Sequence, residues 1–275
     1  MAQQAEAATI PSVKDLASSE ASRRRACLST IMAFLEDLSP SSPLSPTECL
    51  QLWRGFYVAL YMHDSKNALS VQKLIAELAG TLRIVDAKDH DSRAASGSDE
   101  PGDHHPWLDV WATAFWETVS REWVSIDQWR MNKVLLLVRL VVRELFSLAL
   151  GWATDATSTS ESRTPQNLVA SQLEILESWP LSPRERKVPD GLRLHVLDVW
   201  VDELAGQLGA AQNAIDEADQ SDTAGDAAAA KKAVLLDTAK AFMTPVEKLT
   251  KEALSKAVKV RAKEAVQLAE EKLSR

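Results

Sequence analysis

Residues that interrupt helices are scarce in this sequence. Its 275 residues include only 9 glycines and 11 prolines, while Ala, Leu, Glu and Lys abound. Collagen-like chains, β-sandwiches and phosphate-binding glycine loops need more glycine or proline, so the composition argues against all three. No segment alternates apolar and polar residues as a strand does. We therefore expect an all-α protein.

Cysteines and long apolar runs are also lacking. The two cysteines, Cys27 and Cys49, lack metal-ligand spacing, and they suit a reducing compartment better than a disulfide framework. The most apolar stretch, 134–152, contains three charged residues, whereas a membrane span needs about 18 uncharged residues. The first residues lack the basic start and apolar block of a secretory signal. We expect neither export nor a membrane partner.

Positive charge is short over most of the chain. The net charge is −8, but residues 226–275 carry 11 basic and 7 acidic side chains, so the rest of the chain stands at −12. So acidic a body binds polyanions poorly, because non-specific nucleic-acid affinity comes chiefly from neutralising phosphates. Any RNA contact is expected to be local.

Caps and apolar periodicity predict where the helices lie. Capping boxes beginning at Ser45 and at Thr244 predict helix starts, and cap-then-proline pairs predict starts near residues 165 and 183. Apolar residues three and four apart predict further helices over 69–85, 107–121, 127–151, 166–178 and 191–208.

These helices predict a stacked array rather than separate globular domains. Two polar segments, 86–106 and 153–163, are expected to be mobile surface loops. Without them, helix pairs recur at about the 40-residue scale of HEAT repeats. We predict a HEAT-like α-solenoid body over 1–211, a linker over 212–230 and a long, basic C-terminal helical extension over 231–275.

The most distinctive stretch is an aromatic block at 111–123, with Asp127 close behind it. Its tryptophans could form a buried core or a platform on which bases stack. Because they fall at helical spacing, we favour the core. Arg121, Glu122 and Asp127 are expected to form ion pairs that fix the turn to the next helix.

The following helix, 128–151, is apolar almost all round, which predicts burial on most sides. At 100° per residue, Asn132, Arg139 and Arg143 form a polar stripe, while Arg130 and Lys133 project elsewhere. The stripe arginines must pair with carboxylates or reach a surface, because an unpaired buried charge is costly. Internal pairing and contact with a phosphate or an acidic partner both remain open.

No reactive or ligand-binding signature is visible. The sequence has no phosphate-binding loop, dinucleotide fingerprint or nucleophile elbow, so we predict no cofactor and no small-molecule substrate. A cluster of aspartates and histidines matches no zinc or calcium spacing, so we interpret it as a solvated loop and not as a metal site. Its members are Asp86, Asp89, His90, Asp91, Asp103, His104 and His105.

Three segments share a pattern of aromatic and charged residues with a known family. The first runs from Leu52 to Asp64 and includes Trp53, Gly55 and Phe56. The second comprises Phe115, Trp116, Arg121, Glu122, Trp123, Asp127, Arg130, Lys133 and Arg139. The third comprises Gly191, Leu192, His195, Asp198, Glu203 and Leu204. Over roughly residues 15–207 the chain resembles the nucleolar ribosomal RNA-processing protein 1 family, although Ser125, Gln128, Trp129 and Asn132 depart from its pattern.

The resemblance implies an all-helical, HEAT-like factor of the nucleus and nucleolus. Such a factor acts without catalysis in large-subunit assembly and pre-ribosomal RNA processing, where it binds other assembly factors. The resemblance also implies structural roles for Trp53, Gly55, Asp64, Phe115, Trp116, Arg121, Glu122, Trp123 and Asp127. The candidate contacts to a partner or to RNA are Arg130, Lys133, Arg139 and Arg143. The alternatives are a general helical adaptor unrelated to RNA and an RNA-modifying enzyme.

Overall fold

The computed structural model describes residues 10–64, 66–96, 107–154, 164–218 and 225–273. Within these ranges the chain folds into helices joined by turns and contains no strand, which confirms the all-α prediction. None of the helices in these ranges combines the length and the apolar character that a membrane crossing requires.

The described residues form ten α-helices and two short 3-10 helices. In chain order they are α1 (Ala21–Asp37), α2 (Pro46–Met62), α3 (Ala68–Ser96), α4 (Trp107–Glu122), α5 (Gln128–Thr154), α6 (Pro165–Ser178), α7 (Asp190–Ala218), α8 (Gly225–Ala241), α9 (Thr244–Glu252) and α10 (Lys256–Lys272). A first 3-10 helix, Lys14–Ala17, precedes α1, and a second, Trp123–Ser125, separates α4 from α5.

The chain forms two compact units. Unit 1 comprises Met1–Glu122 with Ile126–Leu137, and unit 2 comprises Trp123–Ser125 with Val138–Arg275. Helix α5 therefore contributes its first turns to unit 1 and its remainder to unit 2. In each unit helix packs on helix, in keeping with the predicted helical-repeat architecture.

Aromatic side chains form the core of unit 1, where α4 packs against α2 and α3. Trp53, Phe56, Trp111 and Phe115 are buried, with ring centroids 4.8–6.2 Å apart. The indole N–H of Trp53 donates to the carbonyl of Trp111 at 3.1 Å, and that of Trp111 donates to the Thr81 hydroxyl at 3.0 Å. A buried indole needs such an acceptor. The predicted tryptophan-rich core is confirmed.

Gly55 lets the first 3-10 helix approach α2 closely. A Cβ atom at this position would lie 2.8 Å from Cδ1 of Leu16 and 3.2 Å from Cβ of Val13. Since Leu16 is fully buried, it has little room to withdraw, and a larger residue would force the two elements apart.

Unit 2 has its own aromatic core, which includes the C-terminal helices. Phe146 lies edge-to-face against Trp200 and Phe242, with centroids 4.8 and 5.3 Å away. The indole of Trp200 donates to the carbonyl of Phe242 at 3.1 Å, which joins α7 to the end of α8. Helix α10 packs against α7 and α9 and buries Val258 among other apolar residues. The residues predicted as an extension, 231–275, therefore belong to unit 2 together with α7.

The predicted loop over 86–106 is helical as far as Ser96, so its first half is a correction to the sequence prediction. Asp89 is buried in α3, and its carboxylate accepts hydrogen bonds from the backbone N–H groups of Trp107 at 2.8 Å and Leu108 at 3.0 Å. A carboxylate at a helix N-terminus accepts from otherwise unpaired N–H groups and interacts favourably with the positive end of the helix dipole. Asp89 is therefore a structural cap. Residues 97–106 lie outside the described ranges.

Other predicted boundaries have mixed outcomes. The capping box between Ser45 and Glu48 is present in both directions, and Thr164 caps α6. The helix start predicted at Thr244 is confirmed, because α9 begins there, but its capping box is wrong, because no side chain caps this helix. The start near residue 183 is also wrong, because α7 begins at Asp190.

The predicted polar segments are partly helical. Helix α5 continues to Thr154, so 153–154 belong to a helix, and 155–163 lie outside the described part of the chain. Within the predicted linker, 212–230, α7 reaches Ala218 and α8 begins at Gly225. The remaining linker residues, 219–224, are not among those described.

Replacing Trp116 with alanine should destabilise the protein. The side chain is 1% exposed and packs edge-to-face on Phe115 at 4.8 Å. Truncating such an aromatic residue removes roughly 3–5 kcal/mol from the free energy of unfolding, which thermal or denaturant unfolding measures. Trp129→Ala is the matched control, because Trp129 is 78% exposed and its loss should change stability by about 0.5 kcal/mol or less. Equal unfolding of the Trp116→Ala variant and the wild type would contradict the buried position.

Candidate functional site

Apart from Trp123, the aromatic residues of the family pattern lie inside unit 1. Trp53, Phe115 and Trp116 are buried in the core described above. Asp64 is exposed after α2, and its carboxylate accepts a hydrogen bond from the backbone N–H of Lys66 at 3.0 Å. The three aromatic residues take part in helix packing, and Asp64 takes part in a turn.

Asp127 joins the start of α5 to the end of α2. One carboxylate oxygen accepts from the backbone N–H groups of Trp129 and Arg130, both at 3.0 Å, and so caps α5. The other accepts from the Tyr61 hydroxyl at 2.7 Å and from the Arg130 guanidinium. The Tyr61 hydroxyl, followed by Arg130, lowers the pKa of Asp127.

Arg130 completes this cluster from the first turn of α5. Its guanidinium lies 4.2 Å from the ring centroid of Tyr61, in the geometry of a cation–π contact. Its Nε also donates to the carbonyl of Tyr61 at 3.1 Å. Arg130 is therefore held by α2 and by Asp127, and only part of its side chain faces solvent.

Lys133 lies one turn further along α5 and is buried. Its ammonium group donates to the carbonyl of Leu60 at 3.2 Å and to the carbonyl of His63. The last carbonyls of a helix have no partner within the helix, so this lysine caps the C-terminus of α2. Burial, followed by the charge of Arg130, lowers the pKa of Lys133. Contact with an outside partner would require Lys133 to leave these carbonyls.

Glu203 on α7 holds the two stripe arginines of α5 in unit 2. Arg143 donates to its carboxylate through Nε at 2.6 Å and through Nη2 at 3.2 Å, and Arg139 donates through Nε. The Glu203 side chain is 4% exposed, whereas those of Arg139 and Arg143 are 45% and 42% exposed. Internal pairing thus accounts for the stripe, and each guanidinium still presents a free edge.

The electrostatics of this site favour the ionised carboxylate. Burial alone would raise the pKa of Glu203, but the hydrogen bonds and charges of Arg143 and Arg139 outweigh it and lower that pKa. The hydrogen bond to Glu203 in turn raises the pKa of Arg143. The negative charge of Glu144 also raises the pKa of Arg143, so both guanidinium groups stay protonated beside Glu203.

The predicted ion pairs name the wrong partners for Arg121 and for Asp127. Arg121 pairs with Glu117, one helical turn earlier on α4, and Asp127 is occupied by Tyr61 and Arg130. A pair four residues apart on one helix forms readily because both side chains lie on the same face. Glu122 is half-buried at the end of α4.

Trp123 has a partner that its place in the aromatic block did not indicate. A Cβ atom built on Gly191 would lie 2.9 Å from the indole Nε1 of Trp123. The start of α7 therefore lies directly against this indole, within unit 2. Gly191 is needed for the close approach.

Arg193 is a functional candidate that the sequence analysis missed. It is 5% exposed and donates to the carbonyls of Ser182 at 2.8 Å, Glu185 at 2.5 Å and Val188, which lie in the loop before α7. Asp190 pairs with it at 3.2 Å. Burial lowers the pKa of Arg193. The sequence signal was the pair of prolines within the loop, at positions 183 and 189.

Only four of the acidic and histidine residues considered as metal ligands are among the described residues. Asp86, Asp89, His90 and Asp91 lie on α3, and Asp103, His104 and His105 fall outside the described residues. Within the described ranges, no group of three or more His, Cys, Asp or Glu residues is arranged to hold a metal ion.

Glu203→Gln should make the free energy of unfolding less dependent on pH in the acidic range. Because the folded-state pKa of Glu203 is below its ordinary value of 4.5, its contribution is complete above that pH and disappears as pH falls through the folded-state pKa. At neutral pH the variant should lose roughly 1–3 kcal/mol of unfolding free energy. The gap between variant and wild type should shrink in acid.

Denaturant unfolding at a series of pH values measures this gap. Glu271→Gln is the control, because Glu271 is exposed on α10 and should change stability by about 0.5 kcal/mol or less at every pH. A gap for Glu203→Gln that is absent at neutral pH, or that widens in acid, would contradict the ionised and paired state.

Comparison with known proteins gives these residues a family context. The chain is 27% identical over 207 residues to ribosomal RNA processing protein 1 homolog A of Mus musculus, covering 74% of this chain and 35% of that protein. It is 28% identical over 209 residues to homolog B of Homo sapiens, covering 74% and 23%. It is 29% identical over 178 residues to the homolog of Drosophila melanogaster, covering 62% and 21%.

The chain thus spans about a third or less of the length of these relatives. A family model described as nucleolar protein, Nop52, matches residues 7–275. That description supports the predicted nucleolar location. Since the match extends over nearly the whole sequence, the protein belongs to the Nop52 family of nucleolar proteins.

Proposed function

We propose that this chain is a non-catalytic scaffold for ribosome assembly, acting in precursors of the large ribosomal subunit during processing of their RNA. Family membership supports a role in ribosome biogenesis, because the relatives carry the name ribosomal RNA processing protein 1. The proposed partners are other assembly factors and, through local contacts, pre-ribosomal RNA.

The use of charged side chains inside the helical units is the observation that supports a scaffold. Asp127 caps α5, Lys133 caps α2, and Glu203 joins α5 to α7. General acids and bases must exchange protons with a substrate, whereas these groups are engaged in hydrogen bonds that fix helices. These three charged residues of the family pattern therefore hold the helices in place.

Partners would bind to the parts of the helices that remain accessible. Arg139 and Arg143 keep over two fifths of their side-chain surface exposed, and Glu203 holds them in one orientation. Arginines fixed in this way can bind a carboxylate of an assembly factor with little further loss of side-chain entropy. Arg130, restrained by Tyr61 and Asp127, is a weaker candidate for such a contact.

Sedimentation tests the proposed place of action. The tagged protein, expressed in cells, should sediment with precursors of the large subunit and leave that fraction when synthesis of ribosomal RNA is blocked. The blocked cells are the control for unrelated large complexes. Protein that is free, or that sediments unchanged after the block, would favour a general helical adaptor and contradict the proposal.

A second measurement addresses the non-catalytic part. The purified chain, incubated with pre-ribosomal RNA, should leave the RNA unchanged in length and in nucleoside composition. Turnover that increases with protein concentration, and that persists after further purification, would identify an enzyme.

A further inference from the structure

The loop between α6 and α7, residues 179–189, presents a basic surface in unit 2. A depression of about 510 Å³ lies between this loop and the turn from α9 to α10. Leu254 in that turn is 69% exposed, and its backbone N–H donates to the carbonyl of Pro183 at 3.3 Å. We define the basic surface as Arg184, Arg186, Lys187, Lys256 and Lys259. Arg184 and Arg186 line the depression, and the three lysines are each next in sequence to a residue that lines it.

The loop is held rigidly although it contains neither helix nor strand. Arg193 reaches back from α7 and bonds three carbonyls along it, and the Ser182 hydroxyl accepts from the backbone N–H of Glu185 at 3.2 Å. Proline at positions 183 and 189 restricts the backbone further. The cations of the loop are therefore arranged before a ligand arrives, which lowers the entropic cost of binding.

The five cations of the basic surface have no ion pair among the described residues. Several other cations of the unit pair with carboxylates, among them Arg143 with Glu203, Lys248 with Glu177, Arg261 with Asp198, and Lys272 with Asp202. The basic surface is distinguished by having five such cations on one loop and the adjoining start of α10. The carboxylates that line the depression are Glu185, which accepts from the backbone N–H of Lys187, and Asp190 at the start of α7, which pairs with Arg193. The surface therefore has an excess of positive charge.

We propose that this basic surface binds the phosphate backbone of RNA, and this inference rests on the proposed function. Arginine forks match phosphate oxygens, and neutralised phosphates supply sequence-independent affinity. Because residues 1–225 carry a net charge of −12, a polyanion is repelled except where cations are free and clustered. The basic surface satisfies that condition, and it moves the RNA contact away from Arg139 and Arg143.

Binding of single-stranded oligouridine to the full chain tests the proposal. The triple variant Arg184→Ala, Arg186→Ala and Lys187→Ala should bind roughly tenfold more weakly at low salt. Each phosphate contact on a single strand adds about 0.7 to the slope of log affinity against log salt, so the slope should fall by about 2. Arg193 is left intact, so the loop backbone keeps its supports.

A control variant separates local binding from loss of general charge. Arg54→Ala, Lys66→Ala and Lys73→Ala remove the same charge from exposed positions of unit 1 and should keep wild-type affinity and slope. Thermal unfolding of both triple variants should match that of the wild type. Equal weakening by both variants, or wild-type binding by the loop variant, would overturn the proposal.

Competition and sedimentation distinguish the remaining outcomes. Polyglutamate that displaces oligouridine at equal charge would show that the surface is an acidic-peptide site and would overturn the assignment to RNA. Unchanged oligouridine binding by the loop variant, with the wild type still sedimenting in precursors, would refute this inference alone. Absence of the wild type from those precursors would refute the proposed function instead.

Discussion

Buried tryptophans must find acceptors for their indole N–H groups, and this requirement determines how the helices of each unit meet. Trp53 and Trp111 link α2, α3 and α4 through two such bonds. Trp107 donates to the carbonyl of Pro40 at 3.3 Å, which ties the start of α4 to the segment before α2. Trp200 joins α7 to the residue after α8. An apolar ring alone would tolerate sliding, whereas a ring with a fixed acceptor allows few helix positions.

Charged side chains continue the same role where the apolar core ends. Asp89 and Lys133 satisfy the free groups at helix termini, and Arg193 does so for a loop. These groups lose hydration on burial, and several hydrogen bonds offset the loss. The result is a sharp distinction between charges that maintain the fold and those at the surface without a partner. We propose that the second group, rather than the number of basic residues, determines where a polyanion binds.

Periodicity and caps predict the helices well because they depend on residues a few positions apart. The tryptophan-rich core, the Ser45 cap and the helical nature of α4, α5 and α7 follow from such local patterns. The contacts of Asp89 and Glu203 could not be predicted, since their partners lie 18 or more residues away in sequence. The loop before α7 looked helical because a serine and a proline resemble a cap. Only the carbonyl contacts of Arg193 reveal its different structure.

We propose that the helical units are formed in the free chain and that RNA meets a surface that is already in place. Hydrogen exchange can be measured on the free protein and on the protein within a purified large-subunit precursor. We expect slow exchange in α4 and α7 in both states, with new protection in the loop before α7 and in the turn from α9 to α10. Rapid exchange of those helices in the free chain, or protection gained everywhere except at the basic surface, would contradict it.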